Sequence, residues 1–517
     1  MESHMKAGNR IILNTGILYA KIIVCMVLSL WTVPVTLRAL GVSDYGLYNL
    51  VAGVVVMLAF LNSSMTVASQ RYMSVTMGMK DAGKLNAVYN ASIRIHLCLA
   101  VFIAVFMEVC ALFLFNGFLN IRPERIAAAK WIYQFMVVST FFSILAVPYD
   151  AALNAYENML AISLIFVAEA FGKLLLAFSL FYVAWDKLLF YGIGMAAIYI
   201  AATFVKWGIV RSRYRAIRID FHAPVERSLF QEMVSYAGWS AFGSVAMMGK
   251  NQGIAIILNL FKGTAINAAY GVANQINGLL SSFTSSIQKA IAPQLMQKEG
   301  ANQRDASLAM SFSLVKVATL VFGLMAIPAI IEMRSLLALW LGDNIPEYTV
   351  PFCRLILLCQ LLFQFSSGVA LSIDAGGKIK AYRLALSCVL ILNLPVAYML
   401  MRAGFQPYAV LFSTLVFEAI CLHVRLGFAH KLVGYSIVRY SRTCAIPLAV
   451  TLLSAFMIGR VIMSVFVGNP FLRMGCVGFA TSVTAMCGGY FLVFSQQEQH
   501  RVRRFLRDVF NHTKPMV

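Results

Sequence analysis

Tyr45-Gly46-Leu47-Tyr48-Asn49-Leu50-Val51-Ala52-Gly53 and Tyr270-Gly271-Val272-Ala273-Asn274-Gln275-Ile276-Asn277-Gly278 carry Tyr, Gly, Asn and Gly at the same four places. The second copy starts 225 positions after the first, and each copy opens a long apolar segment. A pattern that returns after nearly half the chain predicts an internally duplicated protein. Membrane transporters are often built from such repeats, with the substrate held where the halves meet.

The surrounding composition agrees. The chain has 517 residues, 60% of them hydrophobic and only 12% charged, with a mean hydropathy of +0.78. Soluble domains carry about 25% charged residues. A bilayer core about 30 Å thick takes about 20 apolar residues per helix. Fourteen segments meet that need: 11–37, 44–68, 95–117, 131–150, 160–184, 188–210, 234–260, 266–288, 311–333, 351–373, 384–401, 407–428, 443–467 and 470–494. None shows the period-two alternation of a membrane barrel. The expected fold is an all-α polytopic membrane protein of about 14 transmembrane helices.

The net charge of +21 follows the membrane plan. With the N-terminus inside, 25 Lys and Arg fall in cytoplasmic segments and nine in outward ones, the remainder lying within spans. That asymmetry is the positive-inside signature. It predicts both termini in the cytoplasm, and it assigns the basic charge to topology and anionic lipid headgroups. Nucleic acid is not an expected partner. The ten cysteines are scattered singly with no CxxC and no His at metal spacing, so neither a disulfide framework nor a metal site is expected. The first apolar run is too long for a signal peptide core, so no cleaved leader is expected.

The longest polar stretch, Arg211 to Met233, falls between spans six and seven. It predicts an N-terminal lobe at 1–222, a C-terminal lobe at 223–432, and two further helices with a basic tail at 433–517. The tail, His500–Lys514, reads as a basic amphipathic helix on the inner leaflet. Outward loops are too short for a membrane-embedded glycan polymerase or ligase, and no nucleotide-binding or soluble catalytic motif occurs. An enzyme is not expected.

Leu40-Gly41-Val42-Ser43-Asp44-Tyr45-Gly46-Leu47-Tyr48 resembles the first-loop motif of Wzx-type polysaccharide flippases, members of the multidrug/oligosaccharidyl-lipid/polysaccharide exporter superfamily. Ser69-Gln70-Arg71-Tyr72 is similar to the end of span two in that family. The second copy, running on to Ala292-Pro293-Gln294-Leu295, is similar to the matching C-lobe element. The resemblance implies two six-helix lobes working by alternating access. It implies an undecaprenyl-diphosphate-linked oligosaccharide as substrate, moved from the cytoplasmic to the periplasmic leaflet of a bacterial inner membrane for O-antigen, capsule or exopolysaccharide synthesis. The remaining implied partners are membrane lipids and the glycan polymerase machinery, with the chain itself a monomer. A multidrug or organic-cation antiporter of the same superfamily and a lipid II flippase are the alternatives.

Ionisable residues inside spans are functional candidates by default, because each costs several kcal/mol unless it meets a cavity or a partner. An anionic diphosphate calls for cations at depth. Lys21 in span one and Lys250 in span seven are the leading pair, since the 225 offset maps Lys21 to within one turn of Lys250. Arg71 and Lys173 are further candidates for the headgroup. Glu169, which can pair with Lys173 one turn away, is a coupling or gating candidate together with Glu108 and Asp374. No cofactor is expected; a proton or sodium gradient or the membrane potential would drive the cycle. Lys316, Arg354, Arg425 and Arg460 lie nearer span ends, Glu418 is an additional carboxylate, and His96 reads as structural.

Overall fold

The computed structural model describes residues 7–56, 59–113, 115, 123–220, 226–262, 264–341, 345–466, 469–500 and 503. In a medium without water each backbone N–H and C=O must be satisfied within the chain, which a helix does locally. The described residues accordingly form helices and no strand. In order they are α1 Ala7–Val56, α2 Ala59–Gly78, α3 Ala82–Phe113, α4 Ile126–Ala155, α5 Met159–Ser179, α6 Lys187–Arg213, α7 Arg227–Lys262, α8 Thr264–Gly300 and α9 Arg304–Ile331. There follow α10 Met333–Leu341, α11 Thr349–Gln364, α12 Ser367–Gly376, α13 Lys380–Arg402, α14 Tyr408–Val433, α15 Ile437–Tyr440, α16 Ile446–Val465 and α17 Pro470–Gly488. The chain is an all-α, multi-pass membrane protein.

Of the fourteen expected spans, ten described helices are long and apolar enough to cross a bilayer, and α11 with α12, bent by 46°, makes an eleventh if counted as one. The other three expected segments, 44–68, 234–260 and 266–288, fall on the second part of α1 with α2, on α7 and on α8. α8 accounts for one of the three: Asn274, Gln275, Asn277 and the run Ser281-Ser282-Phe283-Thr284-Ser285-Ser286 dilute its apolar character. Small polar residues of this kind let helices approach closely and hydrogen-bond within a bilayer.

Gly41 breaks α1 with φ 78° and ψ 163°. Only glycine enters that region readily, which accounts for the glycine just ahead of the first Tyr-Gly copy. Beyond the break Asp44 meets Arg125, which also binds Asp186 at 2.8 Å. Asp186 caps α6 by accepting from the N–H groups of Leu188 and Leu189, the usual use of an aspartate at a helix start.

The chain divides into two compact units: Met1–Val245 with Lys289–Gln303, and Ala246–Gln288 with Arg304–Val517. These divisions fall within α7 and α8 and keep Ile437–Val493 with the second unit, whereas the sequence places lobe boundaries at 222 and 432.

In the first unit, Met73, Val88, Tyr89, Leu153 and Ile162 belong to one buried apolar cluster. The end of α8 packs on α2 through Gly78 and Gly300, where any Cβ would collide with the backbone of Gln297 and of Val75. Gln294 donates to the buried Glu157 at 2.7 Å, and Arg10 approaches the same carboxylate at 3.2 Å. Asn86 and Asn90 on α3 bind the backbone of Arg218 and Asp220, tying down the stretch after α6.

In the second unit, Phe322, Phe352, Leu357 and Val410 lie at the centre of the core, and α16 and α17 pack on α9. Glu498, beyond α17, accepts from Lys316 and Ser313 of α9, both at 2.8 Å. Burial opposes ionisation of Glu498. Hydrogen bonds from Lys316 and the Ser495 N–H, with the Lys316 charge, nevertheless hold its carboxyl below the usual carboxylate range. Apart from His500 and Arg503, the expected tail helix lies outside the described residues.

Candidate functional site

The first unit buries a cluster of charges at the level where α1, α4, α5 and α6 meet. Lys206 of α6, whose side chain is 8% exposed, places its Nζ 3.0 Å from both carboxylate oxygens of Asp150 on α4 and 4.0 Å from Glu169 on α5. The Phe166 ring, one turn before Glu169, takes two cations: Lys21 Nζ lies 4.4 Å from its centroid and Lys206 Nζ 5.5 Å. Ring faces attract ammonium groups, the more so when both are desolvated. Lys21 also feels the charges of Lys289, Asp150 and Glu169.

Lys173 takes a different partner from the one its spacing suggests. Its Nζ donates to the Tyr199 hydroxyl at 3.3 Å and stands 4.7 Å from that ring, while Glu169 has Lys206 as its nearest cation. A residue on a neighbouring helix thus comes within ion-pair distance of the carboxylate where the one on the same helix does not. The result is a group with three lysines, Lys21, Lys173 and Lys206, facing two carboxylates. Glu169 additionally lines an apolar trough of about 540 Å³ between α5 and α6, with Arg213 at one end.

Asp150 and Lys206 were not among the sequence candidates, although they hold the group together. Lys206 could have been found by treating every lysine inside a span as suspect. Asp150 stood at the edge of its expected span and read as a boundary residue.

The other first-unit candidates are separately engaged. Arg71, 9% exposed, is stacked on Tyr72 and Tyr236, at 4.9 and 5.0 Å. Glu108 is exposed on α3 and accepts from Gln134 at 3.0 Å. His96 donates to or accepts from its own helix at Ser92, and its Nε2 is buried without a hydrogen bond among the described residues.

The second unit holds a polar cavity of about 270 Å³ within itself, lined by Lys250, Asn251, Tyr270, Asn274, Gln360 and Glu418. Tyr270 and Asn274 come from the second Tyr-Gly copy. Tyr270 reaches the Asn251 carbonyl at 3.4 Å, and Asn274 donates to the Tyr270 carbonyl at 3.0 Å. Lys250 is 8% exposed and makes no ion pair or hydrogen bond among the described residues. Glu418 is already matched: Arg425, 1% exposed, meets it at 2.6 Å and donates to Ser366 at 2.9 Å. Asp374 pairs with Arg383 at 2.8 Å at the α12–α13 turn. Each unit therefore holds a lysine outside its closest ion pairs: Lys21, half-buried, in one and Lys250, buried, in the other. No group of His, Cys, Asp or Glu suited to a metal occurs among the described residues.

Residues 11–299 match the family described as polysaccharide biosynthesis protein. No curated protein matches the chain. Several solved structures do. One described as MATE in the bent conformation is 14% identical with a TM-score of 0.73, covering 85% of this chain and 98% of its own. A MOP superfamily transporter from Pyrococcus furiosus Vc1 (DSM3638), described as having a binding pocket of reverse polarity that suggests a different function, is 13% identical with a TM-score of 0.71, over 83% and 96%. An outward-facing multidrug resistance MATE family transporter of the MOP superfamily is 14% identical with a TM-score of 0.71, over 83% and 97%. At such identities the likeness is one of fold.

Proposed function

Since the chain belongs to the polysaccharide biosynthesis protein family and has the fold of the MATE and MOP membrane transporters, we propose that it is a flippase for undecaprenyl-diphosphate-linked oligosaccharide. It carries repeat units from the cytoplasmic to the periplasmic leaflet of a bacterial inner membrane, with both its termini in the cytoplasm, and supplies the synthesis of O-antigen, capsule or exopolysaccharide. The observation that carries this reading is a lysine in each unit outside the closest ion pairs, Lys250 buried and Lys21 half-buried. A bare ammonium in a low-dielectric setting is stabilised by an anion brought to it, and a diphosphate is such an anion.

Lys21 and Lys250 each offer a point charge to a headgroup, without the rigid bidentate fork of arginine. Affinity must stay moderate for release, and a single ammonium at each position suits that need. Glu169 and Asp150 are the coupling candidates. Protonation or sodium binding at either would loosen its hold on Lys206 and alter the charge that Lys21 experiences across Phe166.

An antiporter of organic cations would call for a surplus of carboxylate, the opposite of what both units bury. The reading is tested by deleting the gene and assaying surface glycan. Loss of polymer, restored by the wild-type chain, supports it. Intact polymer with increased drug sensitivity gives the antiporter instead.

A further inference from the structure

Arg354 on α11 and Arg460 on α16 are two charges in the second unit that neither the cavity nor its ion pairs use. Arg354 reaches the C-terminal end of α9, and α16 packs on that end one residue before Arg460. Arg354 donates through Nε to the Ile330 carbonyl at 2.9 Å and through Nη2 toward the Ile331 carbonyl at 3.4 Å. Gly459, beside Arg460, lies so close to Ile331 that a Cβ there would collide with it. Arg354 bonds the Ile330 and Ile331 carbonyls and the neighbour of Arg460 packs on Ile331, so the two arginines flank one helix end. The one carboxylate nearby, Glu332, is taken: Arg473 grips both its oxygens at 2.8 and 3.0 Å, and Ser335 donates to it at 2.7 Å. Among the described residues neither Arg354 nor Arg460 has an ion pair. Arg460 makes only a 3.8 Å contact to the Met463 sulfur.

Each arginine stands five residues from a helix end, which is about 7 Å along the axis. Their stems can therefore bring the guanidinium groups to the headgroup layer. Under the topology argued above, both ends face outward. Positive-inside statistics thin out cations on that side, yet here two are held together with no internal counter-charge. The carbonyl bonds fix one edge of Arg354 and leave its Nη1 edge open, so this side chain is oriented and not free to spread into water. Fork-shaped donors held in this way match a phosphate group.

We propose that Arg354 and Arg460 form a lipid-phosphate site at the outward end of the second unit. Resting on the flippase reading, the site receives the carrier diphosphate as it arrives in the outer leaflet. The same chemistry is offered by bulk anionic phospholipid, and the experiment separates the two.

The full chain carrying Lys21→Ala and Lys250→Ala, so that the cavity cations do not contribute, is placed in phosphatidylcholine nanodiscs. The discs are doped with polyprenyl diphosphate, phosphatidylglycerol or polyprenol, and retained lipid is read by native mass spectrometry. Polyprenyl diphosphate is retained and polyprenol is not. Adding Arg460→Gln weakens retention about tenfold, the scale of one charge-assisted contact, while Arg460→Lys stays within about threefold. Stronger retention of the diphosphate than of phosphatidylglycerol identifies the carrier lipid as the source, and equal retention identifies bulk phospholipid. Unchanged retention in Arg460→Gln and in Arg354→Lys with Arg460→Gln, both folded by thermal melt, overturns the site. Loss or survival of surface glycan in the deletion strain reports on the flippase reading separately.

Discussion

Replacing Lys206 with methionine removes the cation between Asp150 and Glu169 while keeping a similar length of chain. At an effective dielectric of about 20, a charge 3.0 Å from Asp150 is worth about 5 kcal/mol and one 4.0 Å from Glu169 about 4. Desolvation opposes both, so the net effect is that of breaking a buried pair, about 3–5 kcal/mol of destabilisation. Tryptophan fluorescence melts of the detergent-purified protein measure it. The decisive comparison is with the triple variant Lys206→Met, Asp150→Asn, Glu169→Gln. There neither carboxylate is left without its cation, and much of the lost stability returns because the penalty of a buried ion pair has gone with its attraction. A Lys206→Met protein that melts like wild type would refute the cluster. So would a triple variant less stable than the single, because that order means the carboxylates were never in want of a counter-ion.

Lys21→Ala and Lys250→Ala each lower surface glycan about tenfold or more in a complementation assay, the scale of losing one charge-assisted contact; full glycan from the double variant at normal expression would sink the headgroup assignment. Gly300→Ala drives a methyl into the Val75 backbone, and since backbone cannot move aside as a side-chain tip does, it destabilises by about 1–3 kcal/mol or more, seen as a lower folded fraction in fluorescence-detected size exclusion. Because the folded-state value of Glu498 is depressed, its clasp on Lys316 contributes fully above the usual glutamate value of about 4.3 and is lost as pH falls through the lower folded value. Hydrogen exchange of residues 495–500 is accordingly slow at neutral pH and faster below about pH 4, and Glu498→Gln exchanges fast throughout; pH-independent exchange in the wild type would rule the clasp out.

Much of the fold was legible because the bilayer imposes one rule on every span. Apolar runs of sufficient length become helices, and the expected apolar segments fall on helices wherever they are described. Gly41 likewise announced a break that its positive φ explains. What hydropathy reads poorly is a helix such as α8, whose Asn274 and Ser282, Ser285 and Ser286 side chains bond back to carbonyls of their own helix and so sit in it although they lower its apolar character. The same limit applies to the sites. Lys21 and Lys250 were visible as isolated charges in apolar surroundings. The carboxylate facing Lys206 was not, because Asp150 lies 56 residues away on another helix.

Segment length and hydropathy determined, from sequence alone, a helical multi-pass membrane protein with lysines inside its apolar segments. Tertiary structure decided which charge answers which: Lys206, not Lys173, for Glu169; Tyr199 for Lys173; Arg425 for Glu418, leaving Lys250 without a carboxylate. Hydropathy is a property of each residue in its own segment, and so it survives reading in one dimension. Ion pairing depends on distance falling within about 4 Å, and that is settled only when helices far apart in sequence are packed side by side.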